Sequence, residues 1–492
     1  IGGGIAGLAA AFELEQARQA GTAVTYTLFE AGDRLGGSLA TEIVDGAVLE
    51  RGPDSFLTEK PAATELCREL GLGADLVPSN DAARKTYIVV KNQLVALPDG
   101  LMFLVPTKLI PTAMTRLFSL PTKVRMGLEL LRPPRRNGDA DEAVATLVER
   151  HFGAEAVERL ADPLLSGIYG GDATQLSART VLPRLVEMEQ EYGSLTRGML
   201  AAHKQMRAKA KAAQSGAANG NGNGNGNGKA STNGRAPRSI FTTLRGGLQQ
   251  LVDTLVARLD PACIRLATPV SGLARVEGRW SVISGGAAEF FDSVIVASPA
   301  WAAGVLLRPV DAELGEDLGA IPYSSSITVN LIYDEAKLGP LPDGFGFLVP
   351  GSEGRAMLAC TFVHRKFLGR TPPGKAVLRA FLGGMKNEDL LAEPDAALIA
   401  TVQRELREIL GDRVLGPHVE PEHAQVSRWR RAMAQYAVGH QERMQRIATQ
   451  VATLPGLRLV GNAYDGIGIP DCIRLGRRAA KELVGQLSAP RA

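Results

Sequence analysis

The chain opens on Ile1-Gly2-Gly3-Gly4-Ile5-Ala6-Gly7, where Gly2, Gly4 and Gly7 hold the spacing G-x-G-x-x-G. An Ala- and Leu-rich run from Leu8 to about Ala20 follows directly, so the glycines fall at a strand-to-helix turn. Lacking Cβ atoms, they permit a tight turn, let the backbone approach a pyrophosphate, and allow helix and strand to pack closely. The stretch Val24–Phe29 predicts the next strand, and it ends on Glu30, 23 residues past Gly7. A strand-terminal carboxylate at that distance accepts hydrogen bonds from an adenosine ribose. These features predict a dinucleotide-binding unit. Its first strand is expected to extend ahead of Ile1, where a targeting segment would be out of view.

Composition narrows the class. At 492 residues the chain exceeds what one hydrophobic core supports, and two or three domains are expected. The formal net charge is only +3 with dispersed Lys and Arg, so no nucleic-acid partner is implied. Cys67, Cys263, Cys360 and Cys472 stand far apart without a C-x-x-C, a pattern that suits a reducing cytoplasmic compartment and argues against structural zinc. No apolar run reaches the length of about eighteen residues that a bilayer span needs. His418 and His423 flank Glu420 and Glu422, but Pro417 and Pro421 break any helical facing, so a polar surface loop is predicted there and not a metal site.

Between residues 96 and 213 the pattern is largely helical, punctuated by Pro98, Pro106, Pro111, Pro121, Pro133 and Pro134, with a clearer helix over Ala140–His151. The apolar stretch around Ile110, Met114 and Leu117, with Lys108, Arg116, Lys123 and Arg125 beside it, fits either a helix pair packed face to face or a surface that touches lipid. A basic helix over 198–214 leads into residues 215–239, whose Asn-Gly repeats are predicted to be a disordered linker. Past it the period changes. A helix is predicted over Leu248–Leu259, strands at Trp280–Ile283, Phe290–Ala297, Ile327–Tyr333 and Gly346–Val349, and a long helix over Asp395–Leu410. The chain closes with the strand Leu457–Val460, a turn from Gly461 to Asp471, and a helix from about Pro470 to Leu487. That is a second strand–glycine turn–helix unit. Its helix N-terminus offers unpaired N–H groups and partial positive charge, so both chain ends are expected to meet on one nucleotide.

Several blocks together identify a family. Phe29-Glu30-Ala31-Gly32-Asp33-Arg34-Leu35-Gly36-Gly37-Ser38 resembles the flavin signature of the amine-oxidase-like flavoproteins, and its Arg-x-Gly-Gly part favours FAD over a nicotinamide. Glu50–Phe56, Leu164–Asp172, Phe241–Leu248, Gly346–Pro350 and Gly461–Arg477 resemble, in order and over nearly the full length, blocks of the oxygen-dependent porphyrinogen oxidases. The resemblance implies an α/β plus α+β fold: a Rossmann-like FAD-binding domain (1–80, 240–300 and 445–492), a mixed-sheet substrate domain (81–95, 160–180 and 301–444), and a mostly helical, membrane-facing domain (96–159 and 181–214).

It also implies one non-covalent FAD per chain, held by Gly2, Gly4, Gly7, Glu30, Arg34, Gly36 and Gly37, with Val270 at the adenine and Gly461, Ile469, Asp471 and Cys472 at the flavin. Arg34 is expected to neutralise the diphosphate, and the Cys472 thiol to turn into packing. The implied reaction removes six electrons from a porphyrinogen with dioxygen as acceptor, giving three hydrogen peroxide. Coproporphyrinogen III oxidation is the first reading and protoporphyrinogen IX oxidation the second; an amine or carotenoid substrate ranks below both. Tyr169, Ile168, Gly167 and Gly170 are expected to wall the substrate pocket. Arg84 and Lys85 are the basic candidates for a propionate, or else ordinary solvated charges. Asp54 is expected to orient pyrrole N–H groups or to order the flavin loop. None of His151, His203, His364, His418, His423 and His440 falls in a block near the flavin, so no catalytic dyad is expected. The chain is read as a cytoplasmic monomer or homodimer in haem synthesis, with neighbouring pathway enzymes and a peripheral membrane contact as further partners.

Overall fold

A computed structural model describes residues 1–102, 104–134, 140–218 and 239–488. Its nucleotide side is assembled from segments far apart in sequence. The Ile1 amino group donates to the Ile295 carbonyl (2.8 Å), the Ala297 N–H donates to the Ile1 carbonyl (2.8 Å), and the Gly2 N–H donates to the Phe29 carbonyl (2.8 Å). Ile1 and Gly2 therefore lie between the strands Leu28–Phe29 and Val294–Val296. Parallel pairing continues outward from these to Ile264–Arg265 on one side and Leu457–Leu459 on the other. The helices Ile5–Gln19 and Ile469–Ser488 cross so closely that a Cβ on Gly476 would lie 2.1 Å from the Ala6 carbonyl oxygen. Leu8, Leu66, Leu251 and Ile473 join one core beneath them.

Several expected elements are shorter or divided. Of Val24–Phe29, only Leu28–Phe29 is laddered. The expected strand Phe290–Ala297 is two strands, because the chain leaves an antiparallel hairpin partner at Phe291 and enters the parallel sheet at Val294. The helix expected from Ala140 begins at Val144, since Ala143 pairs with Ser177 as an isolated bridge. The block read as helical from residue 96 starts with a small hairpin, Leu101–Met102 against Val105–Pro106. The basic helix is Leu195–Ala218, so the first four residues of the predicted linker are helical; residues 219–238 lie outside the described residues. His423 does not sit in a loop but opens the strand His423–Ala434.

A seven-stranded mixed sheet forms the second unit. Its order is His423–Ala434, Tyr323–Asp334, Lys375–Gly383, Met357–Phe362, Gly346–Leu348, Thr86–Val90 and Gln93–Ala96. All neighbours are antiparallel except Gly346–Leu348 with Thr86–Val90. Alternation along Tyr323–Asp334 sends Ile327, Val329 and Leu331 to one face, where they meet Leu378, Ala380 and the helix Asp395–Leu410. The opposite face presents Thr328 and Asn330, with Phe381 and Arg379 as their register partners. The helices Ala300–Leu307 and Ala312–Gly319, grouped by sequence with the substrate domain, share a core with Trp280, Val296 and Leu457 of the nucleotide side.

The helical unit packs around Leu117, Phe118, Leu147, Phe152, Leu160 and Leu195. Inside it, the two His151 ring nitrogens lie 2.9 Å from Glu129 and 3.0 Å from Glu189, and Arg150 also pairs with Glu189. One apolar face stays uncovered: Ile110, Met114, Leu120, Val124, Leu128 and Leu131 are all exposed, Met114 by 79 % and Leu131 by 77 %. Among the described residues no helix is long and apolar enough to cross a membrane.

Candidate active site

The glycine turns converge on one cradle. The Gly36 N–H donates to the Gly3 carbonyl at 2.8 Å, which brings the second glycine loop onto the first. A Cβ on Gly37 would lie 3.2 Å from the Gly4 Cα, and a Cβ on Gly7 would lie 1.9 Å from the Gly2 carbonyl oxygen. Gly2 itself takes φ +101° with Ala297 against it, so only glycine fits. Gly4 and Gly461 differ from these: a Cβ on either meets nothing within 4 Å. Both leave open space at a turn ahead of a helix, and the space at Gly4 is where a diphosphate would be held by backbone N–H groups. The residues present therefore fit a dinucleotide. Glu30 ends its strand as expected, and its carboxylate accepts the Gly3 N–H (2.6 Å) and the Gly32 N–H (2.8 Å). Val270 begins the strand Val270–Val276. The Arg34 guanidinium donates to the carbonyls of Leu35, Gly37 and Leu39, because the tight turn points those oxygens inward, so three of its five N–H donors close its own loop.

At the other end of the chain, the helix Ile469–Ser488 starts on Ile469, Asp471 and Cys472, all buried. The Lys60 ammonium lies 2.6 Å from the Asp471 carboxylate, which also accepts the Gly468 N–H at 3.3 Å. Cys472 packs with Ala6, Val460 and Leu475, and burial pushes its thiol up to about 12, so it stays a neutral packing group. The Tyr436 hydroxyl clamps the turn, donating to the Asn462 carbonyl and accepting the Gly466 N–H, each at 2.9 Å. Tyr169 belongs to the same neighbourhood. Burial, reinforced by the negative charge of Asp471, raises its phenol above the ordinary value. The Tyr169 carbonyl accepts from Gln435 (2.7 Å), which fixes the end of the helix Asp162–Tyr169 against the sheet.

Between these ends the segment Glu50–Asp54 docks on the seven-stranded sheet through its carbonyls. Asn330 donates to the Glu50 carbonyl (3.0 Å), Thr328 and Trp429 both donate to that of Arg51 (2.7 Å each), and Arg379 donates to that of Gly52. Gly52 is required where it stands, since a Cβ there would lie 1.9 Å from the Ser38 carbonyl oxygen. Asp54 accepts from Lys366 at 2.9 and 3.1 Å and from the Ser55 hydroxyl at 2.6 Å, with Arg379 3.7 Å away. Burial alone would raise its carboxyl, but Lys366 and Arg379 hold it well below the usual carboxylate range. Asp54 is thus fixed as an anion that orders the turn.

The sheet face beyond the turn carries Phe381 in register with Ala359, and Ala359 with Leu348; a Cβ on Gly167 would lie 3.0 Å from Leu348. Gly167 and Tyr169 are therefore brought to the sheet, while the side chain of Ile168 lies outside the described residues. Arg84 and Lys85 stand exposed ahead of Thr86–Val90, and neither side chain makes an ion pair or hydrogen bond among the described residues. Sequence reasoning missed Thr328, Asn330, Lys366, Arg379 and Trp429. One signal was present: in a strand buried on both sides, Ser324, Ser326, Thr328 and Asn330 recur at every second position.

A family model described as flavin containing amine oxidoreductase matches residues 5–484. The chain belongs to that family. Among these flavoproteins it is 34 % identical to a coproporphyrinogen III oxidase from Bacillus subtilis (strain 168), over 99 % of this chain and 97 % of that one. It is 37 % identical to a coproporphyrinogen III oxidase from Propionibacterium freudenreichii, over 98 % and 90 %. A crystal structure from Exiguobacterium sp. 255-15, with protoporphyrinogen oxidase as its suggested activity, superposes with a TM-score of 0.82 at 33 % identity, covering 99 % of this chain and 98 % of the other. The flavin oxidoreductase fold, with its mixed sheet and helices, is the one described above.

Proposed function

We propose that this protein oxidises coproporphyrinogen III to coproporphyrin III with FAD and dioxygen. The observation that carries the reading is the end-to-end correspondence with two bacterial coproporphyrinogen III oxidases, each covered over nine-tenths or more of its length. FAD, as the bound flavin, would supply a two-electron acceptor that dioxygen regenerates. Gly2, Gly4, Gly7, Gly36 and Gly37 would hold its diphosphate, Glu30 its ribose, Val270 its adenine, and the Gly461–Cys472 turn its ring. Tyr436 keeps that turn rigid, and the Glu50–Asp54 segment sets the spacing between it and the sheet. Tyr169, Leu348 and Phe381 offer the apolar wall that a flat macrocycle needs. A substrate that aromatises on losing hydride needs no strong protein base.

Turnover measured on both porphyrinogens tests the substrate. A kcat/KM preference for coproporphyrinogen III is expected; a preference of about 30-fold or more, about 2 kcal/mol, for protoporphyrinogen IX would install the second reading. The Exiguobacterium structure and the uncovered apolar face favour that alternative. Anaerobic mixing tests the class: failure of a porphyrinogen to bleach the flavin would return the chain to the amine or carotenoid oxidoreductases.

A further inference from the structure

The docking of Glu50–Asp54 on the sheet buries an unbalanced set of charges. Three cations, Arg370, Arg379 and Lys366, face two carboxylates, Glu50 and Asp54. The Arg370 side chain is fully buried, Arg379 is 2 % exposed, Lys366 12 % and Asp54 14 %. Arg51, whose Nε donates to Ser427 at 3.2 Å, adds charge of the same sign at the edge. Nε of both Arg370 and Arg379 is buried without a hydrogen-bond partner among the described residues. One positive charge is therefore uncompensated in a site of low dielectric, an arrangement that is costly unless negative charge arrives to meet it. Phe56–Leu57 and Lys60 continue from this segment to the start of the helix Ile469–Ser488, where Asp471 receives Lys60. The cluster thus leads to the turn and helix start assigned above to the isoalloxazine.

We propose that Arg379, with Lys366 and Asp54, is a positioning residue that both pins the Gly52 carbonyl and sets the electron affinity of the bound flavin. Oxidised isoalloxazine is neutral. Hydride transfer breaks a substrate C–H bond and delivers two electrons and one proton, leaving one negative charge on the ring, while the substrate releases its second proton to water. The uncompensated cation stabilises that charge, as charged groups near a flavin ring tune its electronics. This rests on the FAD reading and not on the choice of porphyrinogen.

The test is an anaerobic photoreduction of FAD-loaded protein against a reference dye, with no porphyrinogen present. At a fixed ambient potential the ratio of reduced to oxidised flavin is expected to fall about tenfold in Arg379→Met and in Lys366→Met. In Asp54→Asn it is expected to rise about tenfold, each change being about 30 mV for a two-electron couple. Arg379→Lys should return the ratio toward wild type. Thr328→Val, which removes a neutral donor to the same turn, should leave it unchanged. Shifts of one sign in Asp54→Asn and Lys366→Met, no shift in any variant, or an equal shift in Thr328→Val would overturn the proposal. So would variants that keep the wild-type circular dichroism but retain no FAD, since the cluster would then serve cofactor retention alone. Wild-type protein that binds no flavin would sink the FAD reading and this inference together, whereas a wrong substrate leaves the titration unaffected.

Discussion

Glu50 and Arg370 form an ion pair of 2.5 Å between positions 320 residues apart, and neither side chain reaches solvent appreciably. The same carboxylate accepts the Leu248 N–H (2.8 Å) and the Thr41 hydroxyl (2.7 Å), while Arg370 also donates to Thr243 (3.0 Å). Three segments distant in sequence, 41–50, 243–248 and the loop at Arg370, are tied around one ion pair. Burial raises the Glu50 carboxyl above its usual value against the pull of Arg370.

Removing that carboxylate's charge leaves Arg370 buried and alone, which is more damaging than never having had the pair. Glu50→Gln is expected to lower stability by about 3–5 kcal/mol, read as a shift of the urea midpoint. Thr41→Val, which removes the hydroxyl's bond to Glu50 and its acceptance of the Gln249 N–H but removes no charge, should cost about 2 kcal/mol. Equal effects would mean that the ion pair contributes nothing beyond its hydrogen bonds.

The cradle glycines separate folding from binding. Gly4 has φ −69° and ψ 176°, a backbone any residue adopts, and its Cβ direction is open. Gly4→Val is therefore expected to fold, with an unchanged circular dichroism spectrum, but to emerge without FAD. Gly7→Ala would drive a methyl group into the Gly2 carbonyl and is expected to lower the melting temperature as well. Near-stoichiometric flavin in Gly4→Val would remove the phosphate assignment.

What the sequence made legible follows the range of the interactions. Gly2, Gly4 and Gly7 announce their turn because the constraint is local: a helix begins immediately after it. The helix Asp395–Leu410 is equally plain from its period and matches its expected bounds. The contacts of Thr328, Asn330, Arg379 and Trp429 with the backbone at 50–52 were not readable, because each joins positions at least 277 residues apart. The loop-closing bonds of Arg34 were not readable for a different reason. Its charge suggests a phosphate, and only the folded turn shows that three carbonyls at 35, 37 and 39 take three of its five donors.

A buried histidine gives the protein an acid limit. His440 is 1 % exposed and stacks on Tyr436 with ring centroids 4.3 Å apart. Burial, with Arg443 nearby, holds its imidazole down to about 4 from an ordinary 6.5. The unfolded chain takes up the proton first as pH falls. The stabilisation is therefore complete above about pH 6.5 and is lost progressively toward pH 4, by about 3 kcal/mol in total. Denaturation curves from pH 7.5 to 4.5 should show this slope in wild type and a flatter one in His440→Phe, which keeps the stack on the tyrosine that clamps the turn at Asn462 and Gly466.

Arg84 and Lys85 lie exposed and unpaired among the described residues, the condition in which a cation is available to a carboxylate. Arg84→Ala and Lys85→Ala, made separately, are expected to raise KM for coproporphyrinogen more than they lower kcat, because a grip on a peripheral propionate is uniform binding. Loss of one charge-assisted bond corresponds to about 1.5–3 kcal/mol, roughly 10- to 150-fold in kcat/KM, in at least one variant. Wild-type kinetics in both would return them to solvated surface charge.

The uncovered apolar face is tested with vesicles. Ile110, Met114, Leu120, Val124, Leu128 and Leu131 expose large side chains from adjoining short helices, and Lys108 and Arg116 stand exposed beside them. Apolar area flanked by cations binds anionic bilayers by partition and attraction together, each cation near the surface contributing about 1 kcal/mol. Co-sedimentation with vesicles rich in phosphatidylserine is expected, weakened by high salt and weaker still with neutral lipid. Leu120→Glu with Leu128→Glu should abolish it while leaving flavin content and turnover of a soluble porphyrinogen within about 2-fold, since both positions already face water and lie outside the proposed FAD and substrate site. Sedimentation that persists in this double variant would show that the face does not carry the contact.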